Sequence, residues 1–352
     1  METILYLSHT EPDGTLSKAA LEALGAAVEL AIDSASSLTI GLFGGEVQKA
    51  ADSVANCQAA RILGVEGAEF SQARYATDAN AAEILCRGSQ ATVIVTPGTS
   101  RMARIMAGVA HRLNGRVDTH VNSASLENNR IVIRRWFYRQ RMTADVTRAQ
   151  RPWVLIIDPG THPAYPAETG VASVETLPVV LGETNLRTMV KGVEAPKADQ
   201  QTIRPEAELL FVAGAGWTKK QKDGQPHVKE AESLILGFLA ETKASLGSSK
   251  SLVDISGEGG EVLKFMSHMN QVGQTGATPR HPKGLSTCCH GEEPHVVGWR
   301  FINERRAVNL DPNCGWARGK ADVLYVADAF EVIAKVNALL AEQKKAATVG
   351  AD

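Results

Sequence analysis

Along the first half of the chain, short apolar runs alternate with segments whose apolar residues recur at helical spacing. Residues 4–7, 38–43, 61–65, 92–96 and 153–157 are near-continuous apolar runs, the pattern of strands buried on both faces. Residues 16–31, 46–56, 80–87 and 101–113 carry apolar positions three and four apart and are expected to be helices. Residues 131–136 form a further strand candidate. The turn signal Glu127-Asn128-Asn129 before it points to an antiparallel excursion. Between residues 159 and 201 the rhythm fades, and Pro163, Pro166, Pro178 and Pro196 mark an extended crossing segment and linker. Alternation then resumes with a strand at 208–212 and a helix carrying Ala231, Leu234, Ile235, Phe238 and Leu239 on one stripe. Strands are expected at 251–255, 306–310 and 323–326, and a last helix at 330–343 precedes a Lys/Ala-rich tail expected to fray. Strand–helix alternation of this kind predicts an α/β fold of two domains, each a mostly parallel sheet flanked by helices. The expected boundaries are 1–185, a linker at 186–205, a second domain at 206–345 and a tail at 346–352.

Composition adjusts this picture little. A chain of 352 residues exceeds the size, about 250–300 residues, at which single cores stop growing, so two domains are expected. A formal net charge of −2 gives no argument for nucleic acid or an anionic membrane surface. Arg134, Arg135, Arg139 and Arg141 with Trp136 and Tyr138 make one basic aromatic stretch. Strand alternation there favours a subunit interface or a solvated face over nucleic acid. No apolar run reaches about 18 residues, so no membrane span is expected. The first residues lack the basic region and apolar stretch of a signal peptide. Five scattered cysteines do not make a disulfide framework, and a reducing cytoplasm is expected.

The candidate chemistry lies in the second half. Gly273 and Gly276 flank Gln274 and Thr275 in a turn whose backbone N–H groups and hydroxyl suit a phosphate or a polar ring edge. On its own such a pattern also describes an ordinary turn. Asn309 and Asp311 follow an apolar strand, at the end where parallel sheets bind ligands, and both residue types also serve as turn residues. Asp328 stands where an N-cap of the last helix is expected. Cys288, Cys289, His290 and His295 bring metal ligands to mind, but adjacent cysteines without a Cys-x-x-Cys partner have poor spacing, and Cys314 and His281 join them only by folding. No metal site is expected. No nucleophile and base pair stands out either, so no catalytic residue is assigned.

Three stretches together resemble the alpha subunit of electron transfer flavoproteins. These are Gln271-Val272-Gly273-Gln274-Thr275-Gly276, Ala307-Val308-Asn309-Leu310-Asp311-Pro312, and Ala321-Asp322 followed by Val326-Ala327-Asp328-Ala329-Phe330-Glu331. Looser similarity runs through Thr96-Pro97-Gly98-Thr99-Ser100-Arg101, Val117-Asp118-Thr119 and Arg151-Pro152-Trp153-Val154-Leu155. The resemblance implies a flavodoxin- or Rossmann-like C-terminal domain that binds FAD through Ser249, Lys250, Val272, Gly273, Gln274, Thr275, His290, Gly291, His295, Asn309, Asp328 and Ala329. It implies a beta subunit as partner, with AMP as a possible ligand of that subunit. It further implies a flavoprotein dehydrogenase as electron donor and a quinone oxidoreductase as acceptor. Electron transfer, rather than conversion of a substrate, is the expected role. Several positions depart from the family pattern. Gly214-Ala215-Gly216-Trp217 stands where the family has Gly-Arg-Gly, so the arginine expected at the pyrophosphate is Ala215, with Lys219, Lys220 and Lys222 in a longer loop beyond it. Lys250 replaces an arginine, keeping the charge without the planar fork. Cys288-Cys289-His290-Gly291-Glu292-Glu293-Pro294-His295 rewrites the family's Gly-Ile-Ser-Gly-Ala-Ile-Gln-His. An insertion containing Gly257-Glu258-Gly259-Gly260 and Met266-Ser267-His268-Met269 is either a docking feature or a surface loop. These departures leave a second reading open, a docking subunit with a degenerate FAD site inside a larger dehydrogenase complex.

Overall fold

The computed structural model describes residues 2–138, 140, 142–192, 203–204, 207–254, 262–273, 278–287, 301–314, 317–318 and 320–349. The chain divides into two compact units, Met1–Val193 and Glu194–Asp352.

The first unit runs β1 (Thr3–His9), α1 (Lys18–Asp33), β2 (Ser37–Gly44), α2 (Gln48–Ser53), β3 (Arg61–Glu66), α3 (Tyr75–Ser89), β4 (Val93–Pro97), α4 (Ser100–Arg112), β5 (Arg116–Glu127), β6 (Arg130–Phe137), β7 (Met142–Val146), β8 (Trp153–Ile157), β9 (Val174–Thr176) and α5 (Glu183–Leu186). Its strands form a nine-stranded sheet in the order β7-β6-β5-β8-β4-β1-β2-β3-β9. The pairs from β5 through β8, β4, β1, β2 and β3 to β9 are parallel, and β5–β6 and β6–β7 are antiparallel. Helices cover both faces. Ala23, Leu24, Ala27 and Leu30 of α1 pack with Ile4, Tyr6, Leu38 and Val95 on one side. Met102, Ile105, Met106 and Val109 of α4 pack with Leu5, Leu7, Ile94 and Val154 on the other. Burial on both faces is the reason these strands are apolar throughout rather than alternating. Side chains satisfy the first backbone donors of α1 and α4: Ser17 accepts from Ala20 N at 3.3 Å and Thr99 from Met102 N at 3.2 Å.

The second unit runs β10 (Leu209–Ala213), α6 (Val228–Thr242), β11 (Ser245–Ser248), α7 (Lys250–Asp254), β12 (His281–Thr287), β13 (Ile302–Asn309), β14 (Val323–Val326) and α8 (Ala329–Val349). Its five strands lie in the order β11-β10-β12-β13-β14, and every pairing is parallel. Numbered within the unit this order is 2-1-3-4-5, the flavodoxin-like doubly wound arrangement. Ala231, Ile235 and Phe238 of α6 and Ile333 of α8 close one face over Phe211 and Leu246. Thus both units are α/β, as the alternation predicts.

Several elements differ from expectation. The strand expected at 251–255 is the helix α7, and the strand lies just before it, at Ser245–Ser248. Ser249 decides this, because its hydroxyl accepts from Leu252 N at 3.3 Å and starts a helical turn. The tail expected to fray is helical through Val349. Strands β5, β7, β9 and β12 carry no expectation from the pattern. In β5 only Asp118 and Val121 are buried, and β12 (HPKGLST) holds a single large aliphatic residue. Pairing with neighbours, not hydrophobicity, defines these strands. The expected crossing segment donates one short strand, β9, to the sheet edge beside β3.

Asp118 is a buried carboxylate of the first unit with three side-chain partners. Its side chain is wholly buried in β5. It accepts from Arg135 Nη1 at 2.7 Å, from Arg148 Nε and Nη2, and from Trp153 Nε1 at 2.9 Å. Burial alone raises such a carboxyl, but the bonds from Arg148 and Trp153 outweigh it and hold Asp118 below the usual carboxylate range. Asp118→Asn leaves two arginines clustered without their counter-charge, so the first unit is expected to lose about 3–5 kcal/mol in urea unfolding. The sign with pH follows from the lowered carboxyl. The stabilisation is complete above the ordinary carboxylate value and is lost as pH falls through the native one. The gap between wild type and variant should therefore be full at neutral pH and narrow below about pH 4. An equal gap at both ends contradicts this account.

Candidate functional site

In the second unit the chain passes from β10 to β11 on one side, then crosses back over β10 to β12 on the other. The strands that follow β10 and β12 thus lie on opposite sides of this pair, a topological switch point, and the carboxyl ends at such a point are where open parallel sheets bind ligands. The floor of this edge is built from backbone. Gly214 N donates to Thr287 O at 2.8 Å, and Ser249 N donates to Ala213 O at 2.9 Å. Val272 N donates to Ser248 O at 3.1 Å, and Gln271 forms an isolated parallel bridge with Ser248. Gln271, Val272 and Gly273 thus extend the sheet beside β11 and reach its carboxyl edge.

Local chemistry fixes this turn. Gly247 faces Val272 so closely that a Cβ on it would lie 2.4 Å from Val272 Cγ2. Gly273 has φ +80°, in the left-handed region that favours glycine, and its N–H donates to Thr278 Oγ1 at 2.7 Å. Ser248 Oγ is buried and has no hydrogen-bond partner among the described residues.

Trp217 braces the neighbouring loop. It is wholly buried in a short 3-10 turn (Ala215–Thr218) that follows β10. Its Nε1 donates to Thr287 Oγ1 at 2.8 Å, and its ring meets Phe330 of α8 at a centroid distance of 4.5 Å. This contact draws the loop after β10 against the start of α8. Between them lies a narrow cleft lined by Gly216, Gln221, Asn309, Asp328 and Ala329.

The sequence-derived residues fall as follows. Ser249 is buried and caps α7, and Lys250 is exposed as the first residue of that helix. Val272 is buried and Gly273 forms the left-handed turn. Asn309 ends β13, is buried, and its Oδ1 accepts from Asp311 N at 3.3 Å. Asp328 caps α8 through Phe330 N at 2.9 Å, and Ala329 is the first residue of α8. All of these stand at one edge of the sheet: Asn309, Asp328 and Ala329 share the cleft, and Ser249 and Val272 share the end of β11. Gln274, Thr275, His290, Gly291 and His295, with Cys288 and Cys289, lie outside the described residues. The remaining metal candidates are occupied structurally. His281 is buried with its ring nitrogens facing Pro279 O at 3.0 Å and Arg204 O at 2.8 Å, and Cys314 is buried in an apolar cluster. Ser248, Trp217, Thr287 and Gln221 stand beside the candidate residues and carry no expectation from the sequence.

A family model for the electron transfer flavoprotein domain matches residues 4–181, which is the nine-stranded unit almost entire. The chain belongs to the electron transfer flavoprotein family. The comparison with curated proteins found no significant match. Membership and a second, all-parallel unit are together consistent with an alpha-type electron transfer flavoprotein subunit. A role in electron transport follows from the family. Among the described residues no helix is long and apolar enough to cross a membrane.

If Val272 is locked onto Gly247, filling that contact must displace the turn. Gly247→Ala is expected to destabilise the second unit by about 1–3 kcal/mol. Adding Val272→Ala should restore part of that loss, because it removes the methyl that the new Cβ meets. Urea melts of the single and double variants read this, and a Gly247→Ala protein as stable as wild type refutes the packing.

Proposed function

We propose that this chain is the FAD-binding alpha subunit of an electron transfer flavoprotein, with FAD held by the second domain, residues 206–345. In this reading the first domain, residues 1–185, pairs with a beta subunit that itself carries AMP. The pair takes electrons from a flavoprotein dehydrogenase and delivers them to a quinone oxidoreductase, in the cytoplasm. The observation that carries the reading is the convergence of Ser249, Val272, Gly273, Asn309, Asp328 and Ala329 at the carboxyl edge of the 2-1-3-4-5 sheet.

The residues present fit a flavin dinucleotide. Ser248 offers a buried hydroxyl without a partner among the described residues, and Gly273 turns backbone where a side chain is disfavoured. The crevice between Gly216 and Asp328 has a volume of only about 10 Å³, so Asn309 and Asp328 would meet the adenosine at its mouth rather than enclose it. Val272 packs on Gly247 at the start of the Gly273 turn, and Gln274 and Thr275 beyond it would contact the ring system. Lys250, exposed at the start of α7, places a cation near the same turn and would favour the reduced, anionic ring by electrostatics. Gly291, His290 and His295 would complete the ring edge, His295 with a charge that changes near neutral pH. FAD, when bound, supplies the acceptance and release of electrons. The protein's residues bind it, orient it and set its potential, and they need no nucleophile or base to do so.

One observation favours the second reading. Ala215 is buried at 1% exposure, so no side chain at this position reaches toward a phosphate without rebuilding the loop. The docking-subunit reading takes this as loss of the cofactor.

A visible spectrum of the full-length chain, purified with its partner subunit and supplied with FAD, decides between the two. Bound-flavin bands are expected. A colourless complex that takes up no FAD overturns the carrier and leaves the docking subunit. Gln274→Ala and Thr275→Ala should each weaken FAD retention by about five- to tenfold, the worth of one hydrogen bond. Unchanged retention in both removes the turn from the site.

A further inference from the structure

The outer strands of the two sheets are closed in different ways. In the first unit β9 has only three residues, and β7 carries Asp145, paired with Arg134. In the second unit the outer edge of β11 is taken by Gln271 and Val272, which bridge and bond to Ser248. The other outer strand, β14, has no such device. Its sequence is Val323-Leu324-Tyr325-Val326, without a charge or a proline. Val323, Tyr325 and Val326 are 40%, 45% and 58% exposed. In a parallel ladder alternate residues bond to the neighbouring strand. Ala327 N donates to Asn309 O at 3.2 Å, so by alternation Val323 and Tyr325 bond to β13. The N–H and C=O groups of Leu324 and Val326 then point away from the sheet, and no described residue bonds to them. An open, apolar edge of this kind is a template for a further strand, which is why edges are ordinarily charged, shortened or covered.

Beside this edge lies a groove of about 550 Å³. Leu285, Val308, Ile333 and Val336 line it on the face that α8 covers, and Tyr325 stands at its rim. Its charged residues are Lys283, Glu304 and Arg306. Lys283 and Glu304 stand level with each other in register and offset one another. Arg306 stands level with Val323, one strand in from the edge. Its side chain is exposed and makes no hydrogen bond or ion pair among the described residues. We propose that β14 and this groove are a docking site for an extended segment of another polypeptide, apolar on one face and carrying a carboxylate on the other. Main-chain bonds to Leu324 and Val326 would hold the segment as a sixth strand. Its apolar face would cover Leu324 and Val326, which lie on the side away from the groove. Its carboxylate would meet Arg306 across Val323, since two strand spacings of about 5 Å each are within the joint reach of an arginine and a glutamate side chain. A second copy of β14 fits less well. Antiparallel pairing about a two-fold axis keeps each face continuous, and the groove face of β14 brings only Val323 and Tyr325, with no carboxylate for Arg306. This site is independent of the cofactor reading.

The test uses the full-length chain and an acetylated, amidated peptide, Thr-Val-Glu-Val-Thr-Val-Thr, whose valines share one face and whose glutamate lies on the other. Amide hydrogen exchange is read residue by residue by NMR. At about 1 mM peptide, exchange at Leu324 and Val326 is expected to slow measurably, as a main-chain-held segment of modest affinity requires. Arg306→Ala should weaken the peptide about two- to fivefold, the effect of an exposed ion pair. Arg306→Glu should reject this peptide and accept the one with lysine in place of glutamate. Val326→Pro removes a donor that β13 does not use, so it should keep its melting temperature and bind neither peptide. Unchanged exchange at Leu324 and Val326 overturns the proposal, and so does a Val326→Pro chain that unfolds, because the donor would then face inward. Equal binding of both peptides by the wild-type chain overturns the role of Arg306 and the acidic partner with it. Protection of the same amides by a concentration-dependent dimer, without peptide, shows a second copy to be the occupant and overturns the partner proposed.

Discussion

Parallel pairing forbids a tight turn between neighbouring strands, so the chain must cross a face of the sheet to reach each new strand. That demand shapes both units. The crossing segments become helices, their apolar stripes seal the two faces, and the strands between them lose any polar side. It also sends every strand's carboxyl end to the same edge. In the second unit β10, β11, β12, β13 and β14 all end there, and the strand order reverses direction between β10 and β12. A site at this place needs no special arrangement; it is what remains once the strands are paired and the faces covered.

What distinguishes this chain is how the edge is braced. The hydroxyl of Thr287 donates to Val212 O at 3.3 Å and accepts from Trp217, so the ends of β10 and β12 and the loop above them share one small polar node. The indole then carries the loop onto Phe330 and α8. An aromatic anchor in this position costs little entropy, since tryptophan has two side-chain torsions and loses them to a dry, well-packed site. Ala215, where the resembling family pattern has an arginine, contributes no charge to this loop, which is held by packing instead.

The nine-stranded core was largely legible from sequence because its strands are buried on both faces, and continuous apolar runs at 38–43 or 153–157 admit few other readings. The failures have physical causes. Strand β12 carries Pro282, Lys283 and Gly284 and is held by backbone pairing to β10 and β13, which no hydrophobic pattern records. Residues 251–255 look like a strand because Leu252, Val253 and Ile255 are apolar, yet one hydroxyl on Ser249 is enough to begin a helix there. Short motifs singled out Val272, Gly273, Asn309 and Asp328 as candidates, and the fold brings them to one edge of the sheet. Trp217 and Thr287 were not singled out, because their contact joins side chains distant in sequence. The Gly247–Val272 contact is of the same kind: neither residue announces the other.

The exchange at Ala215 has an electrostatic consequence for the whole edge. A buried, forked arginine acts through low dielectric and fixed geometry, and bulk salt screens it weakly. The cations that this chain presents at the same edge, Lys222 and Lys250, stand in water at the tip of a hairpin and at the start of a helix. Exposed charges of this sort are screened over about 10 Å at ordinary ionic strength and exchange partners quickly. A cofactor bound at this edge, as proposed, would take its orientation from the rigid parts, namely the Gly273 turn, the Trp217 brace and the end of β13. Its retention would then rest on contacts that salt weakens. Binding and positioning, which one arginine would have joined, would fall to different residues, and the two properties could be altered separately.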